Sequence, residues 1–341
     1  MAQYVGLDVS MEETSVCILD TAGSTVWEGS VVSEPSAIVR MLHRRAPYAE
    51  RVGLETGPTS TWLWHELRNA GVAAICIDAR HAQAALSMRV NKTDRNDAAG
   101  LAQLMRMGWY REVQVKQLAA HGNGALLASR ALLVRQRCEI ENQIRGLLKN
   151  VGLRSQATKG KAFEQSVRAL AVRSAILKDV ILPLLAAWSA LRLQIAVLTR
   201  NVNERAKNSS VCRRLMTMPG VGPLTSLAFS ATIDDPARFK HSASVGAYVG
   251  LTPRRYASGE IDRMGRISRC GDALMRSYLY EAANIMLVRT RGTNPLKSWA
   301  VKLAKRAGHK KARVALARKM AVVLHRMWLD GTDFGAHRQS A

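Results

Sequence analysis

Apolar and polar positions alternate in QYVGLDVS, where Val5 and Leu7 are the apolar set, which reads as a strand; TSVCILD is a second strand and STVWEGSVV a third. These three strands are separated by turns at Ser10–Glu13 and Thr21–Gly23. A helix is predicted over Pro35–Arg45, and RVGLET forms a fourth strand. PTSTWLWHELRNAG reads as a helix, with Pro58 near its start and Gly71 at its stop. VAAICID is a fifth strand, and DRNDAAGLAQLMRMG is a helix with acidic residues in its first turn, where the macrodipole favours them.

Beyond about Ala119 the period changes. LLASRALLVRQRCEIENQIRGLLKNVGL places Leu126, Leu133, Ile140, Ile144 and Leu147 near heptad spacing, and a second helical stretch runs from about Ser174 to Lys207. The pair predicts an antiparallel helical hairpin or coiled coil, with RSQATKGKA as a loop or exposed tip between its arms. Such a pair serves as a dimer seam, as a nucleic-acid clamp, or as both. MPGVGPLTSLAFSA has the shape of a helix–hairpin–helix turn, in which Gly220 and Gly222 permit a tight bend. The amides of that bend can face a phosphate, or the bend can be purely structural. Residues 250–270 are rich in Gly, Arg and Ser and lack a period, so irregular polar backbone is expected there. HKKARVALARKMAVVLHRMWLDG closes the chain as a basic amphipathic helix that packs Val314, Leu316, Met320, Val323 and Leu324.

Three strands, helix, strand, helix, strand, helix is the order of a ribonuclease-H-like α/β domain. The remainder reads as a helical hairpin followed by a mainly α domain. With 341 residues, 48% of them apolar, the chain is long enough for two or three cores. No opening segment reads as a signal peptide. The most apolar stretch, from Ala175 to Leu198, carries Lys178, Asp179 and Arg192, which favours a packed helix over a membrane span. The five cysteines form no CxxC pair, which disfavours a zinc site or disulfide framework and suits a reducing, cytoplasmic setting.

Charge changes this picture most. The formal net charge is +24, from 50 Lys plus Arg against 26 Asp plus Glu. Residues 1–110 hold 10 basic and 12 acidic side chains, a net of −2; residues 111–200 hold 15 and 5, a net of +10; residues 201–341 hold 25 and 9, a net of +16. A single basic run is usually a solvated face, but an excess sustained over more than 200 residues points to nucleic acid.

The slightly acidic front carries candidate chemistry. Asp8 lies on the first strand and Glu55 closes the fourth; Asp94 and Asp97, three apart, share one helix face. Taken singly, these are a turn residue, an arginine partner and two helix-start acids. Taken together, they are expected to converge where the helix end covers the strand tips. Like charges there raise one another's pKa unless a hard divalent cation, Mg²⁺ or Mn²⁺, offsets them. Two such ions could clamp the oxygens of a phosphoryl transfer.

GLDVS, GLETG and RVNKTDRNDAAGLAQLMR, with the block from PGVGPLTSLAFSA to CGDALMRSYLYEAA, resemble the DEDD-type insertion-sequence transposases of the IS110 family, whose relatives include the Piv-type DNA invertases. The resemblance implies a RuvC-like catalytic domain over residues 1–115, a coiled-coil hairpin over 116–208 and a C-terminal transposase domain over 209–341. It implies Asp8, Glu55, Asp94 and Asp97 as metal ligands. It also implies a nucleophilic serine within TPRRYASG, which maps to Ser258. It further implies a phosphoserine intermediate, pairing of donor and target DNA with a noncoding bridge RNA, and a homo-oligomer, a dimer of dimers, with a composite active site. A nucleoid-associated, cytoplasmic protein without a membrane anchor is expected.

By residue type alone, Ser258 is a turn serine beside Gly259, and no histidine lies near it in sequence to activate it. Arg254, Arg255, Arg263 and Arg266 flank it and are candidate phosphate contacts, as is Lys92 beside the aspartate pair. Three other readings compete. A RuvC-like metal-dependent endonuclease needs the carboxylates but not Ser258. An actin-like ATPase or sugar kinase shares a GLD-like first strand but gives no reason for the charge. A non-enzymatic nucleic-acid scaffold needs neither set.

Overall fold

A computed structural model describes residues 1–86, 93–157, 159–173 and 175–335. The chain divides into two compact units, Met1–Leu118 and Ala119–Ala341.

The first unit is a five-stranded mixed sheet between two helical layers. Strands β1 (Gln3–Val9), β2 (Glu13–Leu19), β3 (Thr25–Val32), β4 (Ala49–Glu55) and β5 (Ala74–Ile77) lie in the order β3-β2-β1-β4-β5. β1–β2 and β2–β3 pair antiparallel, while β1–β4 and β4–β5 pair parallel. The alternation seen in the sequence sorts the side chains. Val5, Leu7, Val16, Ile18, Val52 and Leu54 face one way, under Ile38 and Leu42 of α1 (Pro35–Arg45) and Leu63 and Leu67 of α2 (Ser60–Asn69). The other face carries Cys17, Leu19 and Ile77. It is covered by α4 (Asp94–Met107), through Ala98, Ala102, Leu101 and Met105, with α3 (Ala79–Leu86) beside it.

Helix α4 lies unusually close to the sheet. A Cβ built on Gly6 would stand 2.1 Å from the Ala98 carbonyl oxygen, and one on Gly53 would stand 2.6 Å from Met105 Cγ. Only hydrogen fits at either position. The α4 N-cap is Thr93, whose side chain accepts from the Asn96 amide, and its C-cap is Gly108 at φ +64°. Helix α3 is an addition to the order read from the sequence.

The second unit is mainly helical. The long helices α5 (Leu118–Asn150) and α7 (Ala175–Asn208) run antiparallel. Arg205 Nη1 donates to Asn123 Oδ1 at 2.8 Å, Arg130 Nε to Thr199 Oγ1 at 2.8 Å, and Trp188 Nε1 to Glu141 Oε1 at 2.8 Å. The stretch expected as a loop, RSQATKGKA, ends inside a further helix, α6 (Gly160–Ala171). Its Phe163, Val167 and Ala171 close a core with Ile144, Leu148, Ile181, Leu185 and Trp188. The hairpin therefore ends in a three-helix cluster, because residues four apart in FEQSVRALA supply an apolar stripe. By length and composition Leu177–Asn208 could cross a membrane. Its apolar residues instead pack at both ends, in the three-helix cluster and, through Val202 and Ala206, in the C-terminal core.

The C-terminal core is built by α8 (Ser210–Leu215), α9 (Pro223–Ile233), a 3-10 turn (Pro236–Arg238), α10 (Ala243–Tyr248), α11 (Ala273–Val288), α12 (Pro295–Ala307) and α13 (His309–Asp330). α9 is apolar on all sides and is buried from Thr225 to Ile233 except at Ser230. The fully buried His325 of α13 bonds the Pro236 carbonyl through Nε2 at 2.9 Å and the Ser242 hydroxyl through Nδ1 at 3.0 Å. That ties the 3-10 turn and α10 to α13. Residues 250–270, expected to be irregular, instead carry an antiparallel ribbon, β6 (Pro253–Ser258) and β7 (Ile261–Ile267). Its positions are exposed on both faces, save the half-buried Ile267, so no hydrophobic period marks it in the sequence.

Candidate functional site

The parallel register of β1 and β4 pairs Gly6 with Gly53 and Leu7 with Leu54. The next residues, Asp8 and Glu55, are therefore neighbours at the C-terminal ends of adjacent strands. Alternation puts both on the face that carries Gly6 and Gly53, the face covered by α4. Both side chains are half-buried. Because Ala98 rests on Gly6 and the Met105 side chain on Gly53, while the Met105 carbonyl accepts from Arg51 Nη1 at 3.0 Å, α4 runs antiparallel to β1. Its first turn, with the exposed Asp94 and half-buried Asp97, thus lies at the Asp8–Glu55 end of the sheet. Arg95 in that turn pairs with Glu28 on β3.

The full convergence expected of the four carboxylates is not met. Among the described residues, no three His, Cys, Asp or Glu side chains are grouped closely enough to hold a metal ion. Like charges raise one another's pKa, and Asp94 stays exposed at the start of α4. The donors themselves are hard oxygens at one end of one sheet face, and they suit a hard divalent cation. Lys92 lies outside the described residues.

Nearby titratable groups have different work. Asp78, after β5, is held below the usual carboxylate range by its hydrogen bonds to Arg80, at 3.1 and 3.3 Å, against a smaller opposing effect of burial. Burial pushes the Cys76 thiol up to about 11.

Ser258 ends β6 at the tip of the ribbon, beside Gly259, whose φ of +55° makes the turn. The pairs Tyr256–Arg263 and Ser258–Ile261 put Tyr256, Ser258 and Arg263 on one face; the pairs Arg255–Met264 and Ala257–Asp262 belong to the other. On that second face Arg255 forms a bidentate salt bridge with Asp262, both N–O distances being 2.9 Å, which also raises the Arg255 pKa. Both partners are exposed, and the pair bridges the two strands of the ribbon. Arg254 donates to the Ser268 carbonyl at 3.3 Å, and Arg263 and Arg266 are exposed. Of the candidate arginines, Arg263 lies on the Ser258 face across the pairing just described, and Arg254 falls on the same face of β6 itself. Asp262 and Tyr256 were missed in the sequence. Had a ribbon been read around the Ser-Gly turn, the spacing of Arg255 and Asp262 would have exposed their pairing.

Gly220 has a packing explanation: at φ +88°, a Cβ there would stand 2.4 Å from the Ala282 carbonyl oxygen on α11. Gly222 is the N-cap of α9, and a Cβ there would meet nothing within 4 Å.

Comparison with known proteins bears on both halves of the chain. Residues 5–152 match a transposase family model of the IS110 DEDD type, and residues 212–298 match the transposase IS116/IS110/IS902 family model. The chain is 28% identical over 336 residues to a transposase for insertion sequence element IS1111A from Coxiella burnetii, covering 94% of this chain and 88% of that protein. It is 26% identical to a probable family 20 transposase of Pseudomonas aeruginosa, covering 94% and 95% respectively. It is 30% identical to a putative transposase, y4pF/y4sB, of Sinorhizobium fredii, covering 71% and 64%. With two family models matched in order along the chain, and relatives aligned over nearly all of it, this protein belongs to the DEDD-type IS110 family of insertion-sequence transposases.

Proposed function

We propose that this transposase cuts and rejoins DNA through a covalent phosphoserine on Ser258, assisted by a divalent cation at the carboxylate end of a RuvC-like first unit. The observation that carries the reading is the placement of an exposed serine at a ribbon tip, with Arg263 on the same face, in a chain of this family. Ser258 Oγ attacks the scissile phosphorus. The Oγ–P bond forms as one P–O bond to deoxyribose breaks, and the leaving oxygen takes up a proton. A second strand's hydroxyl then attacks the phosphoserine, so the strand is resealed without hydrolysis. Arg263 holds the non-bridging oxygens of the phosphate.

Asp8 and Glu55, joined by Asp94 and Asp97, would hold Mg²⁺ or Mn²⁺, which supplies charge neutralisation at the phosphate. The same hard oxygen donors orient the ion and disfavour softer metals. Donor and target DNA are the substrates, and a structured RNA encoded beside the gene guides their choice by base pairing. The basic excess of residues 111–341 supplies the surface that such a polyanion load requires. Assembly as a dimer of dimers brings the carboxylate end of one protomer to the Ser258 tip of another.

The test is a denaturing gel of full-length protein with labelled element-junction DNA, Mg²⁺ and the transcribed flanking RNA. A covalent protein–DNA band is expected from the wild type and none from Ser258→Ala, while Asp8→Asn binds DNA but lowers the yield at least a hundredfold. A second reading is favoured by the Asp8–Glu55 pairing, which stands independently of Ser258: a metal-dependent endonuclease without a serine step. Under it, Ser258→Ala still nicks and no covalent band forms with either protein.

A further inference from the structure

At the base of the β6–β7 ribbon, away from its tip, the second unit opens into a groove of about 1670 Å³ between β7, α12 and α13. That exceeds what a small molecule needs and suits a segment of polymer. Its floor is apolar: Leu296, Trp299, Val314, Val322 and Val323. Its rim is cationic: Arg266, Arg269, Lys310, Lys311, Arg318 and Lys319. No carboxylate is among the lining residues. Arg269 adopts φ +56°, a backbone region that costs an L side chain energy and is ordinarily left to glycine. Its amide donates to the Gly250 carbonyl at 3.1 Å, which holds the turn at this edge of the groove. Lys319 Nζ sits 3.9 Å from the centroid of the Trp299 ring, so a face of the indole already receives a cation within the groove.

We infer that this groove holds an unpaired stretch of the DNA strand, with its bases on the Trp299 floor and its phosphates on the cationic rim. The inference rests on the nucleic-acid reading above and adds the state of the strand and its place. A duplex presents only phosphates to such a groove and leaves the apolar floor empty. An unpaired strand offers π faces to the floor and charge to the rim at once. A base that stacks on Trp299 displaces the Lys319 ammonium, which then turns to a phosphate. DNA is the occupant argued here because the matched family's named activity is transposition, which acts on DNA strands, and because every charged lining group is a cation that suits a phosphate chain. Pro253 and Ile267 mark the groove end of the ribbon and Ser258 the other, roughly 17 Å apart at strand rise. Unpairing therefore belongs a short way along the strand from the bond that Ser258 attacks.

The experiment uses the full chain with a twelve-nucleotide single-stranded DNA carrying 5-bromodeoxyuridine, irradiated and mapped by mass spectrometry, alongside anisotropy titrations. The expected result is a crosslink at Trp299, absent when the same sequence is presented as a duplex. Trp299→Leu removes the crosslink. Lys310→Gln with Lys311→Gln, both exposed and remote from the core, weakens single-strand binding about tenfold and lowers the salt slope by about 1.4. Ser258→Ala crosslinks like the wild type, so loss of the serine mechanism leaves this result standing. The inference is overturned by a crosslink mapping elsewhere, by tighter binding of an RNA oligonucleotide of the same sequence that the lysine substitutions also weaken, or by lysine variants that change self-association while single-strand affinity is unchanged.

Discussion

Cys76 and Cys270 bracket the range of thiol environments. Cys76 is 1% exposed and its apolar surroundings hold the thiol neutral up to about 11, whereas Cys270 is exposed beside the groove. The thiolate is the reactive form, so iodoacetamide at pH 8 is expected to modify Cys270 first and leave Cys76 unmodified until the fold opens, as read by peptide mass. Early labelling of Cys76 would contradict its placement. The sign for stability follows: the raised value favours the fold below the thiol's ordinary 9.0, and that contribution is lost as pH rises from there through about 11. Residue-level chemistry was legible in part. Asp8 and Glu55 could be named because a charge ending an apolar strand has few structural uses. Their convergence with Asp94 and Asp97 was expected from the sequence, but among the described residues no three such side chains are grouped closely enough to hold a metal ion.

Elements were legible wherever burial imposes a period. β1, β2 and β4 each turn one set of alternate side chains toward α1 and α2, while β2 also buries Cys17 and Leu19 under α4, so its run reads as continuously apolar. The β6–β7 ribbon buries almost nothing, so its strands leave no pattern, and the groove at its base draws on residues from 251 to 323 that only the fold brings together. α6 was obscured by the polar loop that leads into it. The tight seat of α4 on β1 gives the element-scale prediction. Gly6→Ala must push the Ala98 backbone away by more than 1 Å, an overpacking against main chain rather than against a pliable side chain. A loss of about 3 kcal/mol or more is expected in denaturant titration, beyond the usual overpacking cost. Because α4 also carries Asp94 and Asp97, the same substitution is expected to lower DNA cleavage even in the fraction that remains folded. A stability change under about 0.5 kcal/mol would mean that α4 does not rest on Gly6.

Over the whole molecule, charge and chemistry are segregated. The front third is near neutral and holds the carboxylates; the remainder carries the basic excess, and with it the ribbon, the groove and the long helical pair. Affinity for DNA should therefore be dominated by counterion release from the second unit. Raising salt from 50 to 200 mM is expected to weaken binding of junction DNA about a thousandfold or more, the fall associated with six or more phosphate contacts. Asp8→Asn should leave that slope unchanged, and a shallow dependence in the wild type would argue against a polyanion-holding second unit. The basic excess was plain in the sequence because net charge is additive. The surfaces it forms were not, because they depend on which helices become neighbours. The exposure of both sides of the β6–β7 ribbon has a practical corollary. A segment that contributes so little to holding the chain together can be substituted at small cost to heat tolerance, so changes in Arg254 to Arg266 other than at Ser258 and Arg263 should leave the melting temperature nearly unmoved.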